Sequence, residues 1–121
     1  MMRRSVVLVL GVLAACSRTA AVEAPPGDPY VRGPVESITH HATASSYLVG
    51  PGPGATGSCG IAATADARTR YLSRAGGSFR AAERADIAVG DTVDVYVDGP
   101  VALSCPPQGR ASAIVLVADG G

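Results

Sequence analysis

The sequence predicts an all-β fold with one short helix, a small five-stranded OB-like Greek-key barrel over residues 30–121. Three observations predict it. Apolar and polar residues alternate in short runs, most plainly in Thr92-Val93-Asp94-Val95-Tyr96-Val97. Glycine and proline punctuate those runs. The runs also fall in the order of an OB barrel: three strands, a short helical stretch, then two strands. Another small β-barrel or a sandwich made from the same strands is the alternative.

The first strand falls within Tyr30 to His40, with Val31, Val35 and Ile38 as apolar positions. The step from Val35 to Ile38 breaks the alternation, and Gly33-Pro34 lies inside the run, so a bulge near Gly33 is expected. Ser46 to Val49 is a short second strand, and Gly50 to Ser58 is a Gly/Pro loop. Cys59 to Leu72 carries the third strand, through Ile61, Ala63, Ala65, Tyr71 and Leu72. Gly76-Gly77 marks a turn. Phe79 to Ile87 is expected to make one or two helical turns, with Gly90 as the stop. In the fourth strand, Thr92 to Asp98, Val93, Val95 and Val97 face one way and Asp94, Tyr96 and Asp98 the other. Pro106-Pro107-Gln108-Gly109 breaks the chain. The last strand, Ala111 to Ala118, has an unbroken apolar run from Ala113 to Val117, as suits burial on both faces.

Residues 1–15 read as a lipoprotein signal peptide. Arg3 and Arg4 form a positive start, and Val6 to Leu13 is apolar apart from Gly11. The run is about half the roughly 20 residues a spanning helix needs. It ends in Leu13-Ala14-Ala15-Cys16, which resembles the lipobox of bacterial lipoproteins. Lipidation of Cys16 is expected, with a membrane held through that lipid. Ser17 follows the cysteine; by resemblance to the sorting rule of enteric bacteria this favours the periplasmic side of the outer membrane. Residues 16–29 are then expected to be the lipidated N-terminus and a flexible tether, proline-bearing and without apolar period. Fully stretched, that tether reaches about 45 Å.

Ten arginines balance ten acidic residues over the whole chain, but two of those arginines lie in the signal. From Cys16 onward eight arginines face ten acidic residues, a formal charge of −2. That balance offers no electrostatic footprint for nucleic acid. Lysine and asparagine are absent, a bias that fits a GC-rich genome.

With Cys16 assigned to lipid, Cys59 and Cys105 remain, in a compartment that favours oxidation. In an OB barrel the third and fifth strands are parallel neighbours. Cys59 opens the third and Cys105 precedes the fifth, so a disulfide is expected between them. Closing a loop of that length contributes about 4 kcal/mol in the chain-entropy model.

The last third carries a phrase: Asp86-Ile87-Ala88-Val89-Gly90-Asp91-Thr92-Val93, then Gly99-Pro100-Val101-Ala102-Leu103-Ser104-Cys105-Pro106-Pro107-Gln108. Together with the opening Arg32-Gly33-Pro34-Val35-Glu36-Ser37-Ile38, it resembles the YobA-like family of small bacterial secreted or lipid-anchored proteins, a domain of unknown function. The resemblance spans about Val31 to Val117 and is weak from Ser45 to Phe79. Many relatives have tyrosine at the position of Cys105 and alanine at that of Gly109, which points to a disulfide-bearing branch. The resemblance implies a small β-barrel and no particular activity.

Other motifs read as ordinary structure. Gly52-Pro53-Gly54-Ala55-Thr56-Gly57 spells a dinucleotide motif, but Pro53 removes a donor and no helix opens after it. His40 and His41 are strand neighbours whose side chains diverge, so no metal site is expected. Asp91, Asp94 and Asp98 are too spread for calcium and read as solvated strand charge. No Gly-x-Ser-x-Gly elbow and no spaced acid–base pair occurs, so no catalytic residue, enzyme activity or cofactor is expected. Tyr47, Tyr71 and Tyr96 read first as barrel-surface packing, with stacking against a glycan as the functional alternative.

Two functions are therefore expected. The first is a membrane-anchored envelope lipoprotein whose barrel is a non-catalytic protein-interaction module with an envelope protein as partner. The alternative is a small-ligand or glycan-binding barrel in the periplasm or at the cell surface, using the face between the 50–58 and 99–109 loops.

Overall fold

The computed structural model describes residues 20–51 and 59–118. Cys16, the signal segment and the glycine-rich motif at 52–57 lie outside them. The described residues form β1 (Val31–His40), β2 (Ser45–Val49), β3 (Ile61–Ala65), β4 (Arg70–Ala75), β5 (Ser78–Ala81), β6 (Thr92–Val97) and β7 (Gln108–Val117).

Five of these strands close on themselves. β1 pairs antiparallel with β2 and with β6, β2 with β3, and β6 with β7. A parallel ladder between β3 and β7 shuts the ring. This is the expected OB-like five-stranded barrel, with β4 and β5 added.

β1 is long because it serves both halves of the barrel. Val31–Pro34 pairs with β6, and from Val35 onward it pairs with β2. The register slips between Val35 and Ser37, so the bulge sits at Glu36 rather than near Gly33. That slip is what carries Val35 and Ile38 to the same interior.

The third strand of the sequence reading divides in two. β3 and β4 both run parallel to β7, Ala62–Thr64 against its start and Arg70–Arg74 against its end. Between them Asp66–Thr69 forms a turn. Its Asp66 carboxylate accepts from the Arg68 amide (2.9 Å), and Thr69 Oγ1 accepts from the Asp66 amide (3.0 Å). Gly60, just before β3, has φ of 71°, and a side chain there would collide with the Val49 carbonyl.

The expected helix over Phe79 to Ile87 is not an α-helix. Its first part is β5, hairpinned to β4 across Gly76-Gly77. Its second part is a single 3-10 turn at Arg84–Asp86. The open edge of β4 explains the difference: pairing there satisfies backbone groups that a helix of one or two turns leaves orphaned at its ends. Ile87, just past the turn, is buried in the barrel core.

The barrel interior is aliphatic and dense. Val35, Val49, Ile61, Val93, Val95 and Ile114 are all essentially inaccessible. A second, smaller cluster lies outside the barrel wall. Leu72, Tyr96, Ala113 and Val115 form it, with Phe79 of β5 and Val22 packed over them.

Val22 belongs to the segment expected to be a flexible tether. Its described part is instead docked. Ala21 bridges Arg80 of β5, and the Val22 amide donates to the Phe79 carbonyl (2.8 Å). Arg70 donates to the Glu23 carbonyl (2.7 Å), and Pro25 is buried. The free edge of β5 and the apolar outer face supply what the composition alone does not show.

Candidate functional site

Cys59 and Cys105 are joined in a disulfide, with Cα atoms 5.5 Å apart. They sit where β3 and β7 are about to start, so the bridge ties the same end of two parallel neighbours, as expected.

The aspartates fall into three different environments. Asp98 is exposed and accepts from Arg110 (3.0 Å). Asp91 accepts the Ala88 amide (2.8 Å) in the loop before β6. Asp94, expected to be solvated, is fully buried. Arg32 holds it with two parallel hydrogen bonds of 2.6 and 2.8 Å, and Arg74 lies 3.7 Å away. Asp94 is buried because the β4–β5 hairpin covers its side of the sheet. Among the described residues no three His, Cys, Asp or Glu side chains converge as metal ligands.

The tyrosines do not form a stacking platform. Tyr96 is buried in the outer cluster, and burial followed by the negative charge of Asp94 raises its pKa. Tyr47 is buried in the barrel core, and only Tyr71 keeps partial access. The Tyr47 and Tyr71 hydroxyls are 3.1 Å apart, with the rings tilted by 59°.

Those two hydroxyls end a longer polar chain. Nδ1 of His40 is 2.7 Å from Oγ of Ser45, and Ser45 lies near the Tyr47 hydroxyl. His40 and Ser45 are register partners on β1 and β2, and Ser45 and Tyr47 share the inward face of β2. Burial, then the bond to Tyr71, pushes the Tyr47 phenol well above its ordinary pKa, so it stays a neutral hydroxyl. A serine beside a histidine is the start of a nucleophile–base pair. Here the serine is 1% exposed, so the pair lies inside the barrel wall.

The chain reaches the surface at a cavity of about 340 Å³. The β1–β2 loop (Ala42–Ala44), the β3–β4 turn and Arg84 of the 3-10 turn surround it, with Tyr71 in its wall. Its carboxylate, Asp66, is already paired. Arg110 binds both Asp66 oxygens at 2.9 and 3.2 Å, which holds the Asp66 pKa down at about 2. Thr69 Oγ1 is likewise committed, donating to the Ala111 carbonyl (2.7 Å). Arg84 makes no ion pair among the described residues.

A second cavity of about 300 Å³ lies between the docked strip at Pro25-Pro26 and the strands carrying Arg70 and Ser112. The face expected to bind, between the 50–58 and 99–109 loops, is only partly within the described residues. The cavity at 42–45 is built from three separated stretches of chain, and no local motif signals it in the sequence. Comparison with family models, with curated proteins and with solved structures returns no match for this chain.

Proposed function

We propose that this chain is a bacterial envelope lipoprotein, processed before Cys16 and anchored by lipid on that cysteine, with its barrel on the periplasmic side of the outer membrane. The partition of the cysteines carries the reading. Cys59 and Cys105 are used by each other, which leaves the third cysteine where Leu13-Ala14-Ala15 ends. The YobA-like resemblance agrees with a small anchored barrel. The anchor is tested by expressing the full chain with an alkyne-bearing palmitate. Label is expected on the wild type and absent from Cys16→Ala; equal labelling of the two would remove the anchor.

The barrel itself is a non-catalytic binding module, and its geometry supports a small polar ligand best. The observation behind this is the cavity at the 42–45 end, into which a buried hydrogen-bond chain opens. Native mass spectrometry of the protein drawn from its own membranes should retain a small adduct, and a bare mass throughout would count against the ligand. Docking to an envelope protein is the second reading, favoured by Leu103, which stands 95% exposed in the loop between β6 and β7. Crosslinking in the native envelope would then capture one dominant protein, lost in Leu103→Ser.

A further inference from the structure

We infer that the cavity at the 42–45 end is a site for a compact oxyanion, a carboxylate or phosphate group on a small molecule, gripped between the Arg84 guanidinium and the Tyr71 hydroxyl. The inference deepens the ligand-binding reading and is independent of the lipid anchor.

Charge gives the first argument. Two ionic groups line the cavity, Asp66 and Arg84. Asp66 is tied to Arg110 by two hydrogen bonds and is turned to structural use. Arg84 has no carboxylate within 4.0 Å among the described residues. Arg84 therefore offers an occupant a planar donor fork, suited to two oxygens, that no carboxylate of the described residues already engages.

The hydrogen-bond chain gives the second. Ser45 and Tyr47 are buried, and each hydroxyl has one hydrogen to give. His40 Nδ1–H can donate to Ser45, and the Tyr47 hydroxyl can donate to Tyr71. With Tyr47 donating, the Tyr71 hydrogen is left over at the cavity. An anion at the mouth selects that direction, because it accepts from Tyr71 and Arg84 together. The opposite direction would place a Tyr71 lone pair before the ligand.

Size and lining narrow the class further. A volume of about 340 Å³ is at the small end for ligand sites, and the walls between the polar groups are alanines 42, 44, 65 and 67. The occupant is a compact molecule held by its acidic group.

The test uses the full chain in detergent micelles, followed by amide NMR during titration with inorganic phosphate, glucuronate and neutral glucose. At least one anion should shift the amides of Thr43, Ala44 and Ala67 saturably, while glucose does not. Arg84→Gln and Tyr71→Phe should each weaken that binding about tenfold. Arg70→Gln, which removes an equal charge from the outer face, should leave it unchanged. Equal weakening by Arg70→Gln, or full binding by Arg84→Gln, would overturn the site by reducing it to diffuse attraction. Phosphate acting alone names the phosphate class, and glucuronate acting alone names the carboxylate class. Glucose shifting these amides where the anions do not would overturn the oxyanion and keep a ligand-binding cavity. No response to any probe would overturn the site and with it the cavity's part in ligand binding.

Discussion

The two hydrophobic clusters are separated by a single sheet and are built on different rules. Inside, the barrel wall surrounds side chains that are almost all aliphatic, drawn from β1, β2, β3, β6 and β7 and shut by a parallel ladder and a disulfide. Outside, the cover is a hairpin and a docked strip of chain, and the cluster borders a fully buried carboxylate with two arginines around it. A closed ring has no edge to fray, so its contacts are lost together. The cover has ends and an open edge, so it can lift while the ring persists. Cooperativity here follows from closure more than from the number of apolar residues.

The largest effect should come from opening the ring's clasp. Replacing Cys59 and Cys105 by alanine should cost about 4 kcal/mol in denaturant unfolding, with one transition for every probe. A variant that melts like the wild type would show that the ladder needs no clasp. Next is Arg32→Ala, which leaves Asp94 buried with only the more distant Arg74. A loss of about 3 kcal/mol is expected, and Asp94→Asn made in that background should recover part of it. Recovery would place the penalty on an unpaired charge, and the absence of recovery would place it on lost packing.

Phe79→Ala should cost only about 1 kcal/mol, because the ring is half-exposed and lies on the cover. Its signature is local. Hydrogen exchange should quicken at the Val22 amide and stay slow at Val93 and Val95. Quickening at all three alike would mean that barrel and cover open as one unit. The smallest effect is in acid. The Asp66 pKa is held at about 2 by Arg110, below its ordinary 3.8. Between those values the unfolded chain binds the extra proton, so the contribution is complete above the ordinary value and lost as pH falls through about 2. A carbon-detected carboxyl titration should place Asp66 near 2, and higher in Arg110→Gln, where the Arg68 amide still bonds the carboxylate.

Much of the ring was legible in the sequence. The Val93 and Val95 alternation, the apolar run of β7 and the placement of two cysteines all reflect local geometry of strands inside a closed sheet. The break between β3 and β4 was hidden for a definite reason. The turn holds four residues, an even number, so the period-2 pattern of Ile61, Ala63 and Ala65 continues in phase at Tyr71. The cover was hidden because it rests on long-range pairing. Nothing near Val22 announces Phe79, and nothing near Asp94 announces the hairpin that takes it out of water. The same holds for the cavity. His40, Ser45 and Tyr47 are close in sequence, but Tyr71 and Arg84 arrive from the far side of two turns.

The docked strip also changes the mechanics of attachment. With Cys16 as the anchor we propose, the chain is pinned to β5 from Ala21 onward. Only five residue steps separate lipid from barrel, a reach of about 18 Å in place of about 45 Å. The Ala21–Arg80 bridge is antiparallel, so the described strip begins beside the Ala81 end of β5. With lipid on Cys16 as proposed, the barrel would stay within that reach of the membrane and would meet molecules that travel along its surface sooner than those diffusing freely above it.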